Sequence, residues 1–192
     1  MSVLADVLSV LVRLETLESK YPGGLTALSR NLPNATLCCD GRIVRVGFMM
    51  SEDALAFVAH LQHAGLKFFD EQGYVDIAMT HQEKGLLRPC DWLEFEATPR
   101  YSFCWLRGQM PGELNVPEWW EPGQISSLLD VRTLSFLRHE NGLDVYLDLK
   151  GREQFVARTH GWQPRPVGRL QAAGLWARRT VDRLREFAKR TF

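Results

Sequence analysis

The spacing of apolar and polar residues predicts three helices along the chain. Between residues 2 and 19 apolar residues recur at helical spacing, and Ser2 stands in front of them as a capping residue. A second helix is predicted to begin at Ser51, where two acidic residues follow in the first turn, and to end at Gly65. A third, amphipathic helix is predicted at about 169–189.

Turn-forming dipeptides between β-rich runs predict hairpins among these helices. Asp40-Gly41 divides the strand-like stretch 35–50, and Asn141-Gly142 separates two further runs, 134–139 and 143–149. Other strands are predicted at 66–69, 74–79, 92–96, 101–106 and 153–158. The predicted fold class is therefore α+β, with a mixed or antiparallel sheet built from hairpins and flanked by N-terminal, middle and C-terminal helices.

The length of the chain is enough for one large domain or two small ones. Its 192 residues are enough to bury a core, and with 45% hydrophobic and 24% charged residues the composition is that of a globular protein. The stretch 107–123 is rich in proline and glycine, as linkers and long surface loops are. We expect a single domain over residues 1–192 with two lobes meeting near 107–123, and two independent domains are the alternative.

The start of the chain and its cysteines indicate a cytoplasmic protein. The N-terminus lacks the basic start and continuous apolar run of a signal peptide, and no stretch approaches the roughly 20 apolar residues of a membrane span. We therefore expect no contact with a membrane. In a reducing compartment the cysteines are expected to remain thiols, because none of them belongs to a Cys-x-x-Cys pair: Cys38, Cys39, Cys90 and Cys104.

Motifs for catalysis are missing from the sequence, which points to a binding function. It contains no glycine-rich phosphate loop, no His-Glu-x-x-His and no Gly-x-Ser-x-Gly. His60 and His63 share one face of the second helix, but no nearby carboxylate completes a set of metal ligands. We predict no catalytic residue, no metal site and no cofactor.

An acidic strand is the first candidate binding surface. In the run from Asp91 to Glu96 alternate side chains share a face, so Trp92, Glu94 and Glu96 are predicted to point one way and Asp91 the other. Such a face is either an ordinary solvated surface, a docking patch for a basic partner or a pair of carboxylates for acid–base catalysis. We prefer docking to catalysis.

A tryptophan pair in the predicted loop is the second candidate. Large rigid rings supply contact area at little entropic cost, so loop aromatics serve as binding anchors. We expect one ring to cap the core and the other to be exposed. The candidate residues of this loop are Glu118, Trp119, Trp120 and Glu121.

The third candidate is the basic face of the last helix. From Pro164 onward the chain has eight basic and two acidic residues, a net charge of +6, whereas the remaining 15 basic and 21 acidic residues give −6. Clustered arginines neutralise phosphates, so nucleic-acid binding is an alternative function. We disfavour it, because the acidic remainder would repel a long polyanion. Its binding residues would be Arg178, Arg179, Arg183 and Arg185.

Several strings in the first half of the chain resemble a group of small bacterial proteins. These are KYPGG at 20–24, PNATLC at 33–38, DGRIVRVGFM at 40–49 and GLLRPCDWLEF at 85–95. The group is encoded beside polymorphic or type VI secreted toxins, and its members are interpreted as immunity proteins. The resemblance implies a protein that binds a cognate toxin in the cytoplasm, such as a nuclease or a nucleotide-targeting enzyme, and that needs no catalytic residue.

Two further readings stay open beside this one. A small-molecule enzyme would need a cleft that gathers Glu94, Glu96 or the two histidines. A homodimer would form through the apolar stripe of the first or the last helix. The enzyme competes with the immunity interpretation, whereas a homodimer is compatible with it.

Overall fold

The fold is seen in a computed structural model that describes residues 1–5, 8–32, 34–98, 101–116, 134–157 and 161. It is a mixed α+β arrangement with three sheets and few helices within these residues. The strands are β1 (Ser2–Leu4), β2 (Leu8–Arg13), β3 (Cys38–Cys39), β4 (Ile43–Phe48), β5 (Ile77–His81), β6 (Gly85–Leu86), β7 (Leu93–Ala97), β8 (Ser102–Leu106), β9 (Leu114–Asn115), β10 (Ser135–Glu140), β11 (Leu143–Leu147) and β12 (Glu153–Ala157). The helices are α1 (Leu14–Lys20), α2 (Gly24–Ser29) and α3 (Ser51–His63).

The largest sheet is five-stranded and antiparallel, in the order β3-β4-β2-β5-β6. All six side chains of β4 are buried, as are five of the six in β2, so both faces of these central strands are covered. Helix α3 packs against both strands, and the rings of Phe48 and Phe57 lie 5.3 Å apart between them. One part of the core lies between this sheet and α3, and the same buried cluster continues into the strand β1 and its neighbours.

A four-stranded sheet in the order β7-β8-β1-β9 is joined to the first through β1, which also contacts β3 and β4. Its strands are antiparallel except for the parallel pair β1–β9. In its middle Val3 pairs with Cys104, and both side chains are fully buried. This sheet places β7 at its outer edge among the described strands.

The third sheet is an antiparallel meander, β10-β11-β12. The turn between its first two strands has positive φ at Asn141 (50°) and Gly142 (79°). Asparagine and glycine tolerate this left-handed backbone, which is why Asn-Gly favours a tight hairpin turn. The hairpin predicted there from the sequence is confirmed.

The predicted N-terminal helix at 2–19 is wrong over most of its length. Residues Ser2–Leu4 and Leu8–Arg13 form strands, and helix α1 begins only at Leu14. The apolar run that includes Val10 and Val12 lies in the middle of the sheet and is buried on both faces. Such a run has no alternation to mark it as a strand, so its periodicity resembles that of a buried helix.

The other predicted elements fare better. Helix α3 begins at Ser51 as predicted, and β3 and β4 flank Asp40-Gly41 as an antiparallel pair. Of the predicted strands 66–69 and 74–79, the structure has an isolated bridge between Phe69 and Tyr74 and the strand β5. The last predicted helix and residues 117–123 of the predicted linker lie outside the described residues. Among the residues described, no helix combines the length and apolar character that a bilayer crossing requires.

Candidate functional site

Strand β7 presents its acidic side chains on the same face as the rings of β8. In the antiparallel ladder Glu94 lies opposite Trp105, and Glu96 lies opposite Phe103. Directly opposed residues of such a pair project to the same side of the sheet. Two carboxylates at the sheet edge are therefore neighbours of two aromatic rings on the adjacent strand.

The rings of β8 continue as a ladder along the strand. The ring centroids of Phe103 and Trp105 are 5.5 Å apart, and those of Tyr101 and Phe103 are 5.9 Å apart. Tyr101 and Phe103 are half-buried, while Trp105 is buried. Tyr101 and Phe103 supply the accessible apolar area of this ladder, and the buried ring of Trp105 packs against Phe103 beneath it. We call the set Glu94, Glu96, Tyr101, Phe103 and Trp105 the acidic–aromatic face.

The two carboxylates of this face differ in their surroundings. Glu94 Oε1 lies 3.7 Å from Arg107 Nε, and both side chains are about half exposed. The same guanidinium donates a hydrogen bond to the Cys90 carbonyl at 2.9 Å, which holds it beside β7. Glu96 is exposed and makes no hydrogen bond or ion pair with any residue in the described ranges. Among the described residues, therefore, none neutralises its charge.

Asp91 and Trp92, two of the predicted binding residues, lie just before β7. Asp91 is exposed just before β7, as a docking residue would be. Trp92, in contrast, is only 7% exposed, and the guanidinium of Arg13 lies 5.6 Å from the centre of its ring. The ring of Trp92, predicted as part of the binding face, packs against β2 and belongs to the core, so it offers little surface to a partner.

The remaining predicted site residues lie outside the described part of the chain. They are the loop residues Glu118, Trp119, Trp120 and Glu121 and the arginines Arg178, Arg179, Arg183 and Arg185. Conversely, the sequence reading missed Tyr101, Phe103 and Trp105. Their signal was present as aromatic residues at every second position of a predicted strand, which places them on one face.

The two histidines of α3 differ in burial and in the groups that they contact. His60 is buried and its Nε2 lies 2.7 Å from the hydroxyl of Tyr21. Burial, with a smaller contribution from His63, lowers the pKa of His60 to about 4, so its imidazole is neutral at pH 7. His63 is exposed and its Nδ1 contacts the carbonyl of Ala59. Within the described ranges no three His, Cys, Asp or Glu side chains are grouped closely enough to hold a metal ion.

The cysteines are free thiols, as the sequence predicts. Burial raises the pKa of Cys38, Cys90 and Cys104, so each remains protonated at pH 7. A protonated thiol inside the core is a poor nucleophile and a poor metal ligand. These side chains therefore act as small apolar groups where the two larger sheets meet.

A histidine–carboxylate pair in the third sheet is held within that sheet. His139 Nδ1 lies 2.6 Å from Asp144 Oδ1, and Asp144 is fully buried. Beside this pair, Arg138 binds Glu153 through two hydrogen bonds of 2.8 and 3.0 Å and lowers the pKa of that carboxyl. The His139–Asp144 contact joins β10 to β11, and the Arg138–Glu153 pair links β10 to β12 across β11.

Comparisons of the chain with models of known families, with curated proteins and with solved structures find no match. Two of the four strings that carry the resemblance run through strands of the two larger sheets. The string at 40–49 forms the turn before β4 and all of that strand, and the string at 85–95 runs from β6 into β7. Because the comparisons find no match, the geometry of the acidic–aromatic face is the main structural observation that bears on function.

Proposed function

We propose that the protein is an immunity protein that binds and neutralises a cognate secreted toxin acting in the cytoplasm. The toxin is a nuclease or a nucleotide-targeting enzyme, as the resemblance of the sequence implies. The observation that carries the proposal is the acidic–aromatic face, in which Glu94 and Glu96 flank a ladder of three rings. An apolar surface beside fixed charges has the chemical character of a protein-binding site.

The charge of the acidic–aromatic face determines which partners it binds. Enzymes that act on nucleic acid carry basic surfaces that bind phosphate. Exposed carboxylates attract such a surface, accelerate encounter and disfavour acidic partners. Glu96 has no cation beside it in the described ranges, so its charge acts on the partner and not on this chain.

The rings supply the contact that holds the partner. Phe103 and Tyr101 are half-buried, so each keeps part of its ring for a partner, and their mutual packing leaves little side-chain entropy to be lost. The toxin is then inhibited because its substrate-binding surface is occupied. The carboxylates lie where the phosphates of the substrate would bind, and the rings cover the neighbouring surface. No catalytic group is needed for this.

Co-expression tests the proposal. The toxin-like protein encoded next to this chain is expressed from an inducible promoter in cells with or without the full-length chain, and survival is measured. We expect the chain to restore growth and to co-purify with the toxin at low salt, with weaker retention at high salt because charge contributes. Cells that die equally with and without the chain would contradict the proposed function.

A further inference from the structure

Among the described strands none is hydrogen-bonded to the outer edge of β7, and β6 lies near β7 with Gly85 beside the ring of Phe95. In the sheet order β7-β8-β1-β9, hydrogen-bonded neighbours lie on one side of β7 only. Glu96 and Ala97 at the end of the strand are exposed. A strand in this position presents unpaired backbone N–H and C=O groups, to which another extended segment can pair.

Two hydrogen bonds at the ends of the hairpin establish which amides face outward. The Arg107 N–H donates to the Trp92 carbonyl at 2.9 Å, and the Thr98 N–H donates to the Tyr101 carbonyl at 2.8 Å. Hydrogen-bonded pairs alternate along an antiparallel ladder. The backbone groups of residues 92, 94, 96 and 98 therefore face β8, and those of 93, 95 and 97 face away from it.

Of these three outward residues, two are free to pair. The Leu93 N–H points towards the sulfur of Cys90 and contributes to the pKa of that thiol. Phe95 and Ala97 make no backbone hydrogen bond outside the β7–β8 ladder to any residue in the described ranges. Together they offer two donors and two acceptors along the edge.

The side chains beside this open edge select a basic strand. Glu94 and Glu96 lie on one face, about 7 Å apart along β7, which is the spacing of alternate residues on any neighbouring strand. Lysine or arginine at every second position of an added strand would lie opposite them. A second copy of β7 would instead place its own carboxylates there, and like charges in opposed positions are destabilising.

We propose that an extended, Lys/Arg-rich segment of the toxin adds to the edge of β7 as a fifth strand of this sheet. This inference rests on the proposed function and names the mode of binding. Backbone hydrogen bonds to Phe95 and Ala97 hold the segment, and Glu94 and Glu96 choose its charge. The rings of β8 then contact the part of the toxin that adjoins this segment on the same face of the sheet.

Substitution of Ala97 separates backbone pairing from attraction by charge. Ala97→Pro removes an outward N–H and keeps every hydrogen bond between β7 and β8, and proline is tolerated on edge strands. Ala97→Val keeps the N–H and is the matched control. The probe is a ten-residue peptide of alternating lysine and threonine, with alternating glutamate and threonine as its opposite. All measurements use the full-length protein.

The proposal expects the lysine peptide to bind the wild type and Ala97→Val equally and Ala97→Pro roughly tenfold more weakly. The glutamate peptide should not bind, and amide exchange at Phe95 and Ala97 should slow when the lysine peptide is present. Equal binding to all three proteins, or no binding of the lysine peptide, would overturn it. So would protection of both amides in the free wild type, since the edge would then already be occupied, by this chain or by a second copy.

The outcomes for the two proposals are separable. If the chain protects cells from its toxin and Ala97→Pro protects as well as Ala97→Val, strand addition is wrong while the immunity function stands. If the wild type gives no protection, the immunity function fails whatever the peptide does. Because Ala97→Pro can also act through folding, the exchange measurement on the wild type decides the question without any substitution.

Discussion

Glu96 lies directly opposite Phe103 in the β7–β8 ladder, so an exposed carboxylate and a half-buried ring occupy neighbouring positions on one face. Two pairs along, on the same face, Glu94 lies opposite the buried ring of Trp105. Two successive acid–ring pairs turn an ordinary hairpin into a surface with both charge and apolar contact area. The stability of this face depends on the packing of the hairpin and on the fold around it.

Replacing Phe103 by alanine should lower the stability of the protein. The ring packs between Tyr101 and Trp105, so its loss removes two aromatic contacts and should lower the free energy of unfolding by about 2 kcal/mol. Urea unfolding monitored by tryptophan fluorescence measures this change. Phe103→Leu is the control, because it keeps apolar volume and should lose about half as much. Equal stability of wild type and Phe103→Ala would show that the ladder does not support the sheet.

Lowering the pH should destabilise the protein through His60. Burial lowers its folded-state pKa to about 4, whereas the unfolded value is about 6.5. Between these values the unfolded state holds more protons than the folded one, so the stabilising contribution is fully present above pH 6.5 and is lost as the pH falls to 4. The expected loss approaches 3 kcal/mol. Urea unfolding at half-unit pH steps measures it.

His60→Gln supplies the matched variant for this pH dependence. Glutamine does not titrate and can still reach the hydroxyl of Tyr21, which lies 2.7 Å from His60 Nε2. The stability of His60→Gln should therefore vary less between pH 6.5 and 4 than that of the wild type. The same slope in both proteins would mean that other groups cause the loss.

Asp76 should be important for the attachment of α1 to the sheet. Its nearly buried carboxylate lies 2.6 Å from Lys20 Nζ and 3.7 Å from a guanidinium nitrogen of Arg13, and it accepts the backbone N–H of Lys67 at 2.7 Å. Asp76→Asn removes the charge but keeps one acceptor, so we expect a loss of about 2 kcal/mol. Thermal unfolding measures it. Asp70→Asn, in the neighbouring turn, is a less buried control and should change less.

Gly73 should be intolerant of any side chain. Its φ is 139°, and a Cβ placed there would lie 2.2 Å from the backbone oxygen of Pro89, in the segment that leads into β7. Gly73→Ala should therefore cost about 3 kcal/mol, through strain and the displaced segment. Gly41→Ala is the matched control, because Gly41 also has positive φ (86°) but has nothing within 4 Å of the added carbon. It should cost about 1 kcal/mol. Equal losses would show that the contact with Pro89 adds nothing.

Local signals in the sequence predicted the hairpins well. The turn at Asn141-Gly142 depends on two residues that accept positive φ, and this preference needs no tertiary contact. The faces of β7 followed from alternation alone, since period two is inherent in a strand. The N-terminal strands were misread because a run buried on both faces has the same composition in a sheet and in a helix.

Only some residues of the candidate site could be predicted from the sequence. The carboxylates Glu94 and Glu96 stood out in the sequence, but their neighbours depend on which strand pairs with β7 and in what register. The burial of Trp92 depends on Arg13, which belongs to another sheet and is distant in the sequence. Contacts of this kind arise from packing between sheets, and no local pattern encodes them.

The most direct test of the acidic–aromatic face is the dissociation constant of the complex with the neighbouring toxin after charge reversal. The double variant Glu94→Lys/Glu96→Lys is compared with Glu15→Lys/Glu71→Lys, which makes the same change in net charge at exposed acids on α1 and in the turn before Gly73. We predict about a hundredfold weaker binding for the first and nearly unchanged binding for the second. Equal affinities for both double variants would contradict the assignment of this face as the toxin-binding site.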